Sequence, residues 1–192
     1  MEPLNLDLLL KMIASDDPGQ RTDAWQNAGA IGAPALKPLA GLATDQNLEV
    51  RRAAVRGMWK ITRTAGAPHT DTEMKQTVNQ GLVALLKGSP VAVSREVLWM
   101  LSELACGECA VEPVAELLKV EDLREDARCC LERIPGEESL AALQTALTTV
   151  PRDFQLAVAQ SLRARGVEVS ETKYPCQKLV PTRQTSVKPV GR

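Results

Sequence analysis

Residues 50–61 read VRRAAVRGMWKI, and this stretch carries the pattern that organises the chain. Its apolar residues Val50, Ala54, Met58 and Ile61 lie 0, 4, 8 and 11 places along, a spacing that puts all four on one face of an α-helix. Four other segments align with it without gaps: QRTDAWQNAGAI from Gln20, VSREVLWMLSEL from Val93, LREDARCCLERI from Leu123 and FQLAVAQSLRAR from Phe154. Their starts are 30, 43, 30 and 31 residues apart. The four columns hold Gln20/Val50/Val93/Leu123/Phe154, Ala24/Ala54/Val97/Ala127/Val158, Ala28/Met58/Leu101/Leu131/Leu162 and Ile31/Ile61/Leu104/Ile134/Arg165. Gln20 at one end and Arg165 at the other break the apolar rule. The terminal units of a stacked array are expected to do this, because their outer faces meet water.

Between these segments, 34–43, 111–120 and 138–149 carry Leu or Val at helical spacing and predict a second helix in each unit. Gly32, Gly66-Ala67-Pro68, Gly107 and Pro135-Gly136 mark the turns, and Pro18, Pro90 and Pro151 sit at or just before a first helical turn, where a missing N–H costs little. The 43-residue step predicts a longer second helix, roughly 71–87, capped by Thr70 or Asp71. A hairpin of about 30 residues cannot bury its apolar face alone, so neighbours must stack.

The expected architecture is an all-α, right-handed α-solenoid over residues 1–166, followed by an extended or disordered basic tail, 167–192. Composition agrees: Leu (25) and Ala (24) are abundant among 192 residues, whereas aromatics are 3%. Strands favour aromatic and β-branched residues, so an all-β fold is disfavoured, and Ala and Leu are the strongest helix formers.

Two stretches carry a family resemblance. DQNLEVRRAAVRGMWKI (45–61), with an acidic residue, then Val-Arg and paired Ala, and AIGAPALKPLAGLATD (30–45) resemble the first helix, turn and second helix of the HEAT repeat in its short bacterial, phycobilisome-lyase HEAT-like form. LREDARCCLERIPGEESLAALQTAL (123–147) is similar again, and the resemblance spans about residues 4–166. It implies a solenoid that serves as a scaffold or adaptor. It also implies that the recurrent arginine one place after the first column (Arg21, Arg51, Arg124) is structural, pairing with acidic residues of the adjacent repeat. That arginine is replaced by Ser94 and Gln155.

The candidate interaction patch is Arg52, Arg56, Trp59, Lys60, Arg63 and Trp99. The four basic residues are spaced 4, 4 and 3 along one helix, opposite the apolar columns, with Trp59 between them. Trp99 shares a column with Arg56, so stacking is expected to bring those two together. Basic groups interleaved with Trp suit phosphates, acidic peptides or bases. A solvated charge face, with each Trp packed on a neighbouring repeat, explains the same residues.

Other chemistry is weaker. Cys106-Gly-Glu-Cys109 and Cys129-Cys130 supply four thiols, but adjacent cysteines on a helix point about 100° apart and chelate one ion poorly; no metal or other cofactor is expected. Redox chemistry of the thioredoxin kind needs a βαβ setting. The single histidine, His69, lies in a Pro-flanked loop, so catalysis through it is not expected and the protein is read as a non-enzyme. Net charge is −1, and the segment 107–138 holds ten acidic and four basic residues, which favours a protein partner over nucleic acid. Two rival functions follow from resemblance alone: a nucleic-acid binder such as a DNA-repair glycosylase built on similar repeats, and a bilin lyase or chaperone-like subunit. No targeting segment or membrane span is visible, and five cysteines do not suggest a disulfide framework, so the expected location is the cytoplasm.

Overall fold

The computed structural model describes residues 4–107 and 109–176. The repeat pattern becomes ten α-helices, and among the described residues there is no strand. A short N-terminal helix, α1 (Leu6–Ile13), precedes the array. The five aligned segments form one layer: α2 (Pro18–Asn27), α4 (Leu48–Ala65), α6 (Val91–Leu104), α8 (Arg124–Arg133) and α10 (Arg152–Ala164). The intervening segments form the second: α3 (Leu36–Leu42), α5 (Thr72–Leu86), α7 (Val111–Glu116) and α9 (Glu137–Thr149). Each helix of the first layer packs on the next member of that layer, and each of the second layer does likewise, so the chain is an α-solenoid. One continuous apolar core runs from Leu9 to Leu162.

The four columns supply most of that core. The exceptions are Gln20, which is exposed, and Ile31 and Arg165, which are half-buried; the other seventeen column residues are buried. A further buried position lies seven places along the last four segments: Gly57, Met100, Cys130 and Ser161. It faces the second layer, where a Cβ on Gly57 would come within 3.2 Å of Leu39 Cδ1. The missing side chain at Gly57 lets α3 and α4 approach closely there.

Local chemistry sets the helix ends. The side chains of Asn5, Asp17, Asn47 and Asp71 accept from the amides of Leu8, Gly19, Glu49 and Glu73 at 2.8–3.2 Å, each satisfying a first-turn donor. Gly32 (φ 70°) and Gly136 (φ 101°) make equivalent turns between the layers, where a Cβ would strain the backbone. The first segment departs from its predicted helix: α2 stops at Asn27 and residues 28–30 continue as a 3₁₀ turn. This turn presses Gly29 onto α4, where even a methyl group would sit 2.3 Å from Thr64 Oγ1. The wide 43-residue step reflects two long helices, α4 with 18 residues and α5 with 15.

Candidate functional site

The basic row on α4 lies where the spacing predicts. Arg52, Arg56, Lys60 and Arg63 are all exposed. Three of them make specific interactions. Arg52 pairs with Glu49 of its own helix at 2.8 Å. Arg56 lies over the Trp25 ring, 5.8 Å from its centroid. Arg63 lies 5.0 Å from the centroid of Trp59 and 3.7 Å from Glu103 of α6.

The expected meeting of Arg56 and Trp99 does not form. Trp59 occupies the seam between α4 and α6 and donates its indole N–H to Glu96 at 2.7 Å. Arg56 therefore turns back to Trp25 on α2. Trp99 faces forward to α8, where its N–H reaches Asp126 at 3.2 Å and Arg133 covers its ring at 5.0 Å. Each Trp thus packs on a neighbouring helix, and Trp99 remains 37% exposed.

The pairing extends to every aromatic residue of the chain. Arg124 covers Phe154 at 4.9 Å and Arg152 covers Tyr174 at 5.1 Å. Five aromatics, each under a guanidinium, run along the first layer; each such contact contributes about 0.5–1 kcal/mol at exposed positions. Arg133, Glu96, Asp126 and Trp25 belong to this face but not to the predicted patch. Their signal was present in the sequence: they are the polar or aromatic residues one to three places away from the apolar columns.

The recurrent arginine differs from its expected role. Only Arg124 pairs with an acidic residue of the next repeat, Asp153, at 3.3 Å. Arg21 and Arg51 instead donate to loop carbonyls six residues upstream, Ser15 O and Asp45 O, each at 2.6 Å. Where the arginine is absent the task is kept: Gln155 donates to Val150 O at 3.0 Å and Ser94 to Ser89 O at 3.4 Å. The column holds the loop that enters each first-layer helix.

Cys130 lies in the core, and burial pushes its thiol up to about 12. Desolvation also raises Cys129. Neither is poised as a thiolate nucleophile. Beside them, Arg128 binds Glu125, Glu132 and Ser161. The hydrogen bond from Arg128 holds the Glu125 carboxyl below its usual value, against the opposing effect of burial. Cys109, in the α6–α7 turn, takes a hydrogen bond from the buried Asn79 amide at 3.1 Å. Among the described residues no cluster of three His, Cys, Asp or Glu has the arrangement to hold a metal ion, and His69 is exposed in the α4–α5 turn.

The first part of the tail lies on the solenoid. Val167 and Val169 pack against the core, Tyr174 is buried, and Arg152 donates to Lys173 O at 2.6 Å. The rest of the tail, 177–192, lies outside the described residues. No described helix is long and apolar enough to cross a membrane.

These features define the class: an all-helical repeat protein, its faces ordered by inter-repeat contacts. No family model matches the sequence, and a search of curated proteins finds no significant match. Among solved structures the chain is similar to a designed armadillo repeat protein in complex with peptide (KR)4, at 20% identity and a TM-score of 0.46 over 81% of this chain and 80% of that one. It is also similar to a computationally designed armadillo repeat protein for modular peptide recognition (20% identity, TM-score 0.44, 81% and 80% covered) and to an engineered protein (22% identity, TM-score 0.45, 84% and 79% covered). At this level of likeness the designed proteins' ligands say nothing about those of this chain.

Proposed function

We propose that the chain is a non-enzymatic scaffold of HEAT-like repeats, working in the cytoplasm, that binds another protein through the α4-centred face: Arg52, Arg56, Trp59, Lys60, Arg63 and Trp99. The observation that carries this reading is the exposed basic row on α4, in which Arg56 is anchored to α2 and Arg63 to α6. Groups fixed in place lose little conformational freedom on binding, so a rigid row converts more of its contacts into affinity. The chain's thiols support a structural role as well, because Cys130 is given over to core packing.

The test starts from affinity capture with the full chain from its native cell and identification of the captured protein. Arg56→Glu combined with Lys60→Glu is expected to weaken that protein's binding by about tenfold or more, in line with charge reversal at an electrostatically complementary surface. Both residues are exposed, so the variant keeps the helical circular dichroism spectrum. Undiminished binding removes the α4 face from the function.

A further inference from the structure

The seam between α4 and α6 is closed at one end and open at the other. On α4, Leu48, Arg52, Val55 and Trp59 follow one another at helical spacing along the side toward α6. At the far end Trp59 reaches Glu96 and Arg63 reaches Glu103, and these pairs bridge the seam. At the near end a groove is lined by Val55 and Ala92 together with buried Met58 and Val93. Arg52 and Arg56 stand on its rim. Leu48 and Val91, the first residues of the two helices, are 46% and 38% exposed.

The next seam shows what is missing. Arg95 on α6 is the repeat equivalent of Arg52, and it spans to α8, meeting Asp126 at 3.3 Å and donating to Asp122 O at 2.8 Å. Asp126 is in turn the equivalent of Glu96. At the α4–α6 seam Glu96 accepts from Trp59, and Arg52 pairs with Glu49 three residues back on its own helix instead of crossing the seam. Such an exposed i,i+3 pair is worth only a few tenths of a kcal/mol and exchanges readily.

We infer that this groove is a docking site for a peptide segment of a partner protein that presents a large apolar side chain flanked by carboxylates. The apolar side chain lies on Val55 and Ala92 between Leu48 and Val91. A carboxylate takes from Arg52 the place that Asp126 takes from Arg95. Arg56, with its ring contact on one face only, offers a second set of donors. The charge of the lining decides the class of partner. Arg51, Arg52 and Arg56 line the groove against one carboxylate, Glu96; the Arg51 guanidinium is turned to the loop carbonyls of Asp45 and Gln46, which leaves Arg52 and Arg56 to meet a ligand. A basic segment would meet the Arg52 and Arg56 guanidiniums there.

The inference rests on the scaffold reading and sharpens it. Its test uses the full chain and a fluorescein-labelled peptide, Asp-Glu-Asp-Leu-Phe-Asp-Glu-Asp, titrated by fluorescence anisotropy. Two control peptides accompany it, one with every acid replaced by Lys and one with Leu-Phe replaced by Ser-Ser. The acidic apolar peptide is expected to bind about tenfold or more tightly than either control. Ala92→Trp, which fills the groove from an exposed helical position, and Arg52→Glu are each expected to weaken it about tenfold, or about 1.4 kcal/mol. Lys37→Glu, on the second layer, is expected to leave it unchanged. Equal binding of a control peptide, or wild-type affinity in Ala92→Trp and Arg52→Glu, overturns the groove. If a captured protein depends on Arg56 and Lys60 while the peptide fails, the groove assignment falls and the scaffold reading stands.

Discussion

Arg165 ends the fourth apolar column, where the repeat pattern calls for Ile or Leu, and replacing it with Met separates two accounts of that position. If Arg165 is simply a terminal unit meeting water, an apolar residue there is neutral or stabilising. The structure gives it a specific task. Its Nη1 donates to Ile134 O at 2.9 Å, Ser139 Oγ at 3.1 Å and Leu131 O at 3.2 Å, and its Nη2 donates to Gly136 O at 2.9 Å. These acceptors are the end of α8, the turn that leaves it and the first turn of α9. The last carbonyls of a helix have no internal partner, and a cation there also meets the negative end of the macrodipole.

Met matches the aliphatic stem of Arg165 and keeps its packing, so the substitution isolates the guanidinium. A hydrogen bond to a charged group contributes about 1.5–3 kcal/mol net, and the dipole adds about 0.3–1 kcal/mol. One guanidinium shared among several carbonyls, at a half-buried position, gives less than their sum. The expected loss is about 2–4 kcal/mol. For a chain of this length each kcal/mol moves Tm by about 2–4 °C, so Tm falls by roughly 5–15 °C. Arg165→Lys keeps the charge but cannot span both Ile134 O and Gly136 O, and falls between. Urea and thermal unfolding followed by far-UV circular dichroism measure all three proteins. A Met variant as stable as the wild type would refute the capping argument.

Two other outcomes follow from close packing and from the buried thiol. Gly29→Ala forces its Cβ against Thr64 Oγ1 and should cost about 1–3 kcal/mol by overpacking. Adding Thr64→Ala should recover most of that loss, so a double-mutant cycle that is strictly additive contradicts the contact. Cys130, raised by burial from 9.0 to about 12, favours the folded state fully below its unfolded value, and that contribution declines as pH rises above it. The slope is about 1.4 kcal/mol per pH unit between those two values, because the unfolded chain releases the proton first. Cys130→Ala should therefore show a shallower alkaline loss of stability than the wild type in urea titrations at neutral pH and near pH 10. Parallel slopes would show that the thiol is not buried as described.

The repeat was legible because its signal is redundant. Val50, Ala54, Met58 and Ile61 specify a buried helical face, and four other segments repeat it in register, so one exception such as Gln20 changes nothing. The second layer was legible for the same reason, as was the exposed basic face of α4. What escaped were properties that depend on which neighbour a side chain meets. Arg56 and Trp99 share a column, yet Trp59 intervenes and sends them to opposite sides. Arg21 and Arg51 follow the same pattern as Arg124 but bind loop carbonyls rather than carboxylates. The early end of α2 comes from Gly29 meeting Thr64, thirty-five positions away in sequence, a contact no local periodicity encodes.

The column positions hold the repeats together and are nearly interchangeable along the array, so they cannot distinguish one seam from another. Specificity has to lie at positions beside the columns, and these differ from repeat to repeat. There the three tryptophans and the guanidiniums that cover them are found. The α6–α8 and α8–α10 seams are bridged by Arg95 with Asp126 and by Arg124 with Asp153. The α2–α4 seam is covered by Arg56 on Trp25. At α4–α6 the bridges lie in the C-terminal half of α4, Trp59 with Glu96 and Arg63 with Glu103, while Arg52 pairs within its own helix. Trp59→Phe removes the indole N–H and frees Glu96 to meet Arg52 across the groove, by analogy with Arg95 and Asp126. The substitution should thus close the docking site from within. It should weaken the acidic peptide without touching any residue on the rim.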